Sequence, residues 1–114
     1  MSSNDDSVMY GRLVTAPLDP DRIDECITVF REKNAPGLAA QPGFRQVFYL
    51  MHRRTGKVTT LTVWSTAADE KASRSNISRL NDNLGDLLVV DEVHQETLEV
   101  VYQYPEPGGL QDAA

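Results

Sequence analysis

One hundred and fourteen residues suit a single domain, and a chain of that length buries roughly two-thirds of its unfolded surface around one core. Hydrophobic residues at 40% and charged residues at 25% are ordinary globular values and exclude wholesale disorder. Eleven Lys and Arg against seventeen Asp and Glu leave a net charge of −6, which argues against nucleic acid or an anionic lipid surface as a partner.

Residues 1–7 are polar and acidic, with no apolar stretch that would read as a secretory signal. Cys26 is the single cysteine, so no internal disulfide forms, and no Cys/His cluster has metal-ligand spacing. The longest aliphatic run is Leu87–Val90, far short of the roughly 20 residues of a membrane helix. A cytoplasmic protein with no metal, no cofactor and no membrane contact is the expectation. The ends, 1–7 and 105–114, read as flexible tails flanking one domain at 8–104.

Val8 to Thr15, rich in Val, Leu, Tyr and Thr, predicts the first strand. Asp19-Pro20 predicts a helix start, since Asp caps free N–H groups and Pro is tolerated at the first helical position. Ile23, Cys26, Ile27 and Phe30 then fall on one apolar stripe. Pro36-Gly37 and Pro42-Gly43 are expected to break that helix and its trailing segment. Phe44–Met51 and Lys57–Trp64 predict a hairpin closed by Arg53-Arg54-Thr55-Gly56. Thr66 to Asp69 resembles a capping box opening a second helix, with a break near Ser75-Asn76 left open. Gln95–Tyr104 predicts a fourth strand with Leu98, Val100, Tyr102 and Tyr104 on one face. The order βαββαβ is that of a ferredoxin-like α+β fold, an antiparallel sheet with its helices on one face.

Pairing His52 with Lys57 sets the hairpin register and sorts the side chains by face. Phe44, Gln46, Phe48 and Leu50 share one face with Leu61 and Val63. Arg45, Tyr49, Thr60, Thr62 and Trp64 share the other. Both faces carry apolar groups, yet two short helices cover only one, so a partner is expected on the second. Residues 33–68 hold five bases and no acid, whereas eight acids and no Lys or Arg follow Arg79. That asymmetry suggests a homodimer in which the acidic last strand of one subunit meets the basic second strand of the other.

The segments Pro42-Gly43-Phe44-Arg45, Gly56-Lys57-Val58, Leu61-Thr62-Val63-Trp64-Ser65 and Ala67-Ala68-Asp69 resemble the antibiotic biosynthesis monooxygenase (ABM) family. The resemblance implies a dimeric α+β barrel with a pocket between sheet and helices and the third-strand tryptophan, here Trp64, in its wall. It makes Trp64 the candidate catalytic residue, and Trp64, Thr62, Thr60, Tyr49 and Arg45 the candidate substrate-binding set. Arg45 would hold a phenolate, and Tyr49 or Thr62 would hydrogen-bond it. The implied activity is a cofactor-independent monooxygenase acting on a phenolic or polycyclic aromatic small molecule. The alternative is a non-catalytic dimeric ligand-binding or interaction module of the same fold.

Two departures narrow the resemblance. Haem-degrading relatives place an axial histidine where Ser73 and Arg74 stand, and polyphenol-oxidising relatives have an asparagine and a tyrosine where Thr60 and Glu70 stand. Cys26 reads as a small core hydrophobe, and His52, His94, Arg74 and Asn76 as surface residues. No Gly-rich phosphate loop or Ser-His-Asp spacing points to another chemistry.

Overall fold

The computed structural model describes residues 8–87 and 92–105; the stretches 1–7 and 106–114, read above as tails, lie outside the described residues. Strands β1 (Tyr10–Pro17), β2 (Phe44–His52), β3 (Lys57–Trp64) and β4 (His94–Glu99) form one antiparallel sheet in the order β2-β3-β1-β4. Helices α1 (Ile23–Val29), α2 (Ala35–Ala39), α3 (Ala67–Ser73) and α4 (Ile77–Leu84) complete a ferredoxin-like α+β fold. β2 and β4 are the edges, and β1 lies between β3 and β4.

The hairpin has the expected register, with His52 opposite Lys57. Gly56 turns at φ 80°, and a Cβ there would run into the Leu18 carbonyl oxygen. Its own carbonyl accepts the Leu18 N–H at 2.7 Å, which joins the hairpin to the end of β1. Gly56→Ala is therefore expected to destabilise the fold by at least about 1–3 kcal/mol, through backbone strain compounded by that clash. A urea titration at neutral pH reads the change, and an unchanged midpoint would show that the turn relaxes freely.

One irregularity overturns part of the face assignment. Phe44 pairs with Trp64 but Gln46 pairs with Val63, so Arg45 is the extra residue of a β-bulge. The bulge breaks the period of two at the start of the strand. Phe44, expected on the far face, packs edge-on against Trp64 with ring centroids 5.6 Å apart. Arg45, expected beside Trp64, is instead exposed.

The first helical run continues through Pro36-Gly37, contrary to expectation. Pro36 has no N–H to donate and its ring crowds the carbonyl four residues back, at Glu32. The chain widens to accommodate it: Phe30–Asn34 form a π turn, and the Ala35 N–H reaches the Phe30 carbonyl. The widened turn buries Phe30 and Asn34 together. Thr66 caps α3 by accepting the Asp69 N–H at 3.0 Å. The second helix is interrupted, with a tight 3-10 turn at Arg74–Asn76 separating α3 from α4.

β4 is shorter than the predicted Gln95–Tyr104. Glu99 pairs with Tyr10, the first residue of β1, and one further bond joins the Val100 N–H to the Met9 carbonyl. Beyond it the described part of β1 offers no further partner, and Val101, Tyr102 and Tyr104 are exposed.

The core falls into two clusters under the helices. One holds Ala16, Leu18, Cys26, Val58, Leu84 and Leu87, and the other Phe30, Leu38 and Trp64. No helix among the described residues covers the opposite face of the sheet. Phe48, Leu50 and Leu98 there remain about half exposed, at 47%, 50% and 46%.

Candidate functional site

A cavity of about 70 Å³ lies between the two core clusters. Its floor is the covered sheet face, with Arg12, Val14 and Ala16 from β1, Thr60 and Thr62 from β3, and Tyr49 from β2. Its roof is Phe30, Asn34 and Leu38 from the first helical run and Ile77, Leu80 and Asn81 from α4. At roughly 15 Å³ per ordered water, that space holds about five waters or a small single-ring molecule.

The π turn positions the roof. Asn34 Nδ2 donates to the Leu80 carbonyl at 3.3 Å, and Asn83 Nδ2 donates to Asn34 Oδ1 at 2.7 Å. Asn34 thereby ties the first helical run to α4 across the cavity. Its neighbour in the turn, Phe30, stacks on Tyr49 at 4.0 Å and 14°. The stacked phenol is partly buried, and its buried hydroxyl has no hydrogen-bond partner among the described residues. Burial, reinforced by the neighbouring Cys26, holds the Tyr49 phenol well above its usual range, so it stays protonated and acts as a donor.

The polar end of the cavity is built on Arg12, which is 2% exposed on a central strand. Its Nη1 donates to Ser73 Oγ at 2.6 Å and to Glu70 Oε2 at 3.1 Å. Ser73 in turn donates to the Glu70 carbonyl at 2.7 Å. The guanidinium lies over the Trp64 ring, 5.4 Å from its centroid. Glu70 is buried as well, and Arg74 grips both of its oxygens, from Nε at 3.0 Å and Nη2 at 2.6 Å. Arg74 Nη2 also reaches Thr97 Oγ1 on β4 at 3.2 Å.

Burial by itself pushes the Glu70 carboxyl up, but the hydrogen bonds from Arg74 and then Arg12 outweigh it and hold the carboxyl below its ordinary range. Burial lowers the Arg12 guanidinium, which the hydrogen bond to Glu70 opposes. Burial also pushes the Cys26 thiol up, away from nucleophilic use.

Of the five residues expected at the site, Tyr49, Thr60 and Thr62 line the cavity together. Arg45 is outside it, carried away by the bulge. Trp64 has no exposed surface and lies behind the wall rather than in it, with Nε1 donating to Thr62 Oγ1 at 2.9 Å. It supports Arg12 and Thr62 without meeting the cavity. Sequence reasoning missed Arg12 and Asn34. The signal for Arg12 was its place in the alternating inward set Tyr10, Arg12, Val14 and Ala16, a charge on the covered face of a central strand. Glu70 and Ser73, noticed only as departures from other enzymes, turn out to hold Arg12, and Arg74, read also as a surface residue, grips Glu70 from its other side.

No sequence-family model matches the chain, and no curated protein matches it either. Solved structures do. A monooxygenase from the gene ActVA-Orf6 of Streptomyces coelicolor, in complex with nanaomycin D, is similar over 90% of this chain and 96% of its own, with a TM-score of 0.68 at 16% identity. A Caulobacter crescentus CB15 protein provisionally assigned as an antibiotic biosynthesis monooxygenase matches over 89% and 97%, with a TM-score of 0.68 at 17% identity. This is the antibiotic biosynthesis monooxygenase fold. The same fold also serves a Nitrosomonas europaea protein of unknown function, similar over 85% of this chain and 93% of its own, with a TM-score of 0.65 at 15% identity. In this chain the cavity lies between sheet and helices, and its own residues must decide its chemistry. No helix among the described residues is long and apolar enough to cross a membrane.

Proposed function

We propose that this protein is a dimeric monooxygenase that takes an electron-rich aromatic small molecule into the cavity between sheet and helices. The observation that carries the reading is the Tyr49 hydroxyl, a buried donor without a partner among the described residues, beside a largely apolar space. The fold shared with a monooxygenase that holds nanaomycin D supports it. In such a reaction the bound phenolate supplies electrons to O₂. The ring gives all four electrons and is itself oxidised to a quinone: one oxygen atom becomes the new carbonyl, the other leaves as water with the two hydrogens lost from the substrate, and no external reductant is required. The protein's part is to exclude water, seat the ring against Phe30 and Tyr49, and offer hydrogen-bond donors to the developing charge.

The second subunit belongs to the same proposal. Phe48, Leu50 and Leu98 form an apolar stripe with Leu13, Leu61 and Val63 on the uncovered face, and another copy of that face matches it in kind.

A second reading, a binding module without turnover, is favoured by one observation. Glu70 is committed to two guanidinium groups and Tyr49 is held protonated, so neither serves as a general base. Oxygen uptake separates the two readings. With single-ring phenols and hydroquinones alongside naphthoquinols, anthrones and flavonoids, and no added flavin or metal, saturable consumption of one O₂ per product is expected from those whose reacting ring fits the cavity. Binding of these compounds without consumption would leave the module.

A further inference from the structure

The Arg12 network holds two guanidinium groups and one carboxylate. Glu70 gives both oxygens to Arg74 and shares one of them with Arg12; Arg74 is 45% exposed and solvated, so the buried charge left with only a shared counter-charge is that of Arg12. Arg12 Nη1 is fully engaged, yet its buried Nε has no hydrogen-bond partner among the described residues. Directly across the ladder from Arg12 stands Thr62, and both line the cavity. Thr62 Oγ1 accepts the indole N–H of Trp64 at 2.9 Å, so its own proton is left to donate. Tyr49 is paired with Thr60, the next inward residue along β3 from Thr62, about 7 Å away along the strand.

On the reading that the cavity is a ligand site, we infer that Arg12 Nε and the Thr62 hydroxyl together seat an ionised oxygen carried by a flat, otherwise apolar ligand. The chemical class is a phenolate or enolate on a single ring or ring edge. An anionic oxygen supplies the acceptor that Arg12 Nε lacks and adds to the counter-charge that buried Arg12 otherwise shares with Arg74. A neutral ether oxygen does only the first. Arg12 takes the role the sequence pattern suggested for Arg45, with Glu70 and Ser73 as positioning residues that fix the guanidinium by its other end. The Tyr49 hydroxyl, one step down the sheet, is placed to bond a second oxygen on the same ligand.

The test uses the full chain with two single-ring probes, 4-nitrophenol and 4-nitroanisole, which differ only in methylation of the oxygen. The yellow nitrophenolate band reports ionisation directly. Bound 4-nitrophenol is expected to ionise at least one pH unit below the free compound, since an opposite charge within hydrogen-bond reach shifts such groups by about 1–3 units. Above its ionisation it should bind at least about tenfold more tightly than 4-nitroanisole. Thr62→Val, which leaves the Arg12–Glu70 pair intact, should shrink the ionisation shift and weaken binding of the nitrophenolate more than that of 4-nitroanisole. Equal affinity for both probes with no shift overturns the oxyanion seat while leaving the cavity a ligand site. An undiminished shift in Thr62→Val overturns the seat as built here. Failure of both probes to bind at millimolar concentration removes the ligand-site reading and the inference together.

Discussion

Glu70→Gln is expected to lower the unfolding free energy at neutral pH by about 3–5 kcal/mol, the cost of stripping the counter-charge from a buried ion. Arg12 is 2% exposed and Glu70 1%, so water cannot enter to replace the lost partner without opening the packing of α3 on β1. The amide still accepts one hydrogen bond but no longer balances either guanidinium. Urea titrations of the two proteins measure the difference, and a loss under about 1 kcal/mol would show that the pair is solvated in solution. Arg12→Met combined with Glu70→Leu should recover most of the loss, because a well-packed apolar pair replaces a buried ion pair at little net cost. Recovery in the double variant separates a charge effect from damage to packing.

The same carboxyl governs acid stability. Its folded-state value is held below the ordinary 4.5 by Arg74 and Arg12, despite burial. The stabilisation is therefore complete above about pH 4.5 and is lost as pH falls from there through the lowered folded value. The wild type should lose stability steeply in that window, and Glu70→Gln should show a flatter profile. Parallel profiles would mean other carboxylates dominate acid unfolding.

Leu50→Glu is expected to convert a micromolar dimer into a monomer. Leu50 is on the uncovered face, half exposed in the single chain, with Phe48 beside it on β2 and Leu98 at the opposite edge. Burying a carboxylate there against a second copy without a partner costs on the order of 4 kcal/mol, or roughly a thousandfold in the dissociation constant. The edges fit the same arrangement: β2 and its hairpin carry Arg45, Arg53, Arg54 and Lys57, whereas β4 carries Glu96 and Glu99. One of those bases, Arg53, already pairs with Asp24 at 3.3 Å within the chain, an exposed contact of small worth. Light scattering of the wild type at micromolar concentration decides the matter, and a monomer there would end the dimer proposal. Leu50 points away from the helices, so far-UV circular dichroism of the variant should match the wild type.

The order of elements was legible because each carries a local signal. Asp19 and Thr66 cap where caps were expected, the hairpin register follows from one turn, and alternation in Lys57–Trp64 sorts that strand correctly. Errors arose where a local rule met a non-local constraint. The bulge at Arg45 exchanged two side chains between faces, and nothing in Phe44-Arg45-Gln46 announces an extra residue. Pro36 reads as a helix breaker, but the π turn before it absorbs the lost bond and carries the helix on.

The sequence by itself determined the layered α+β order, the covered and uncovered faces of most of the sheet, and the placement of Tyr49, Thr60 and Thr62 on one wall. These depend on periods of two and 3.6 residues, which survive without knowledge of neighbours. Only the tertiary structure decided that Trp64 is sealed behind the wall and that Arg12 stands in it. That outcome depends on contacts between residues 58 positions apart, Arg12 with Glu70, where a buried charge must find its counter-charge. Spacing along the chain holds no record of such a pair, because the requirement is one of distance in space and of exclusion from water.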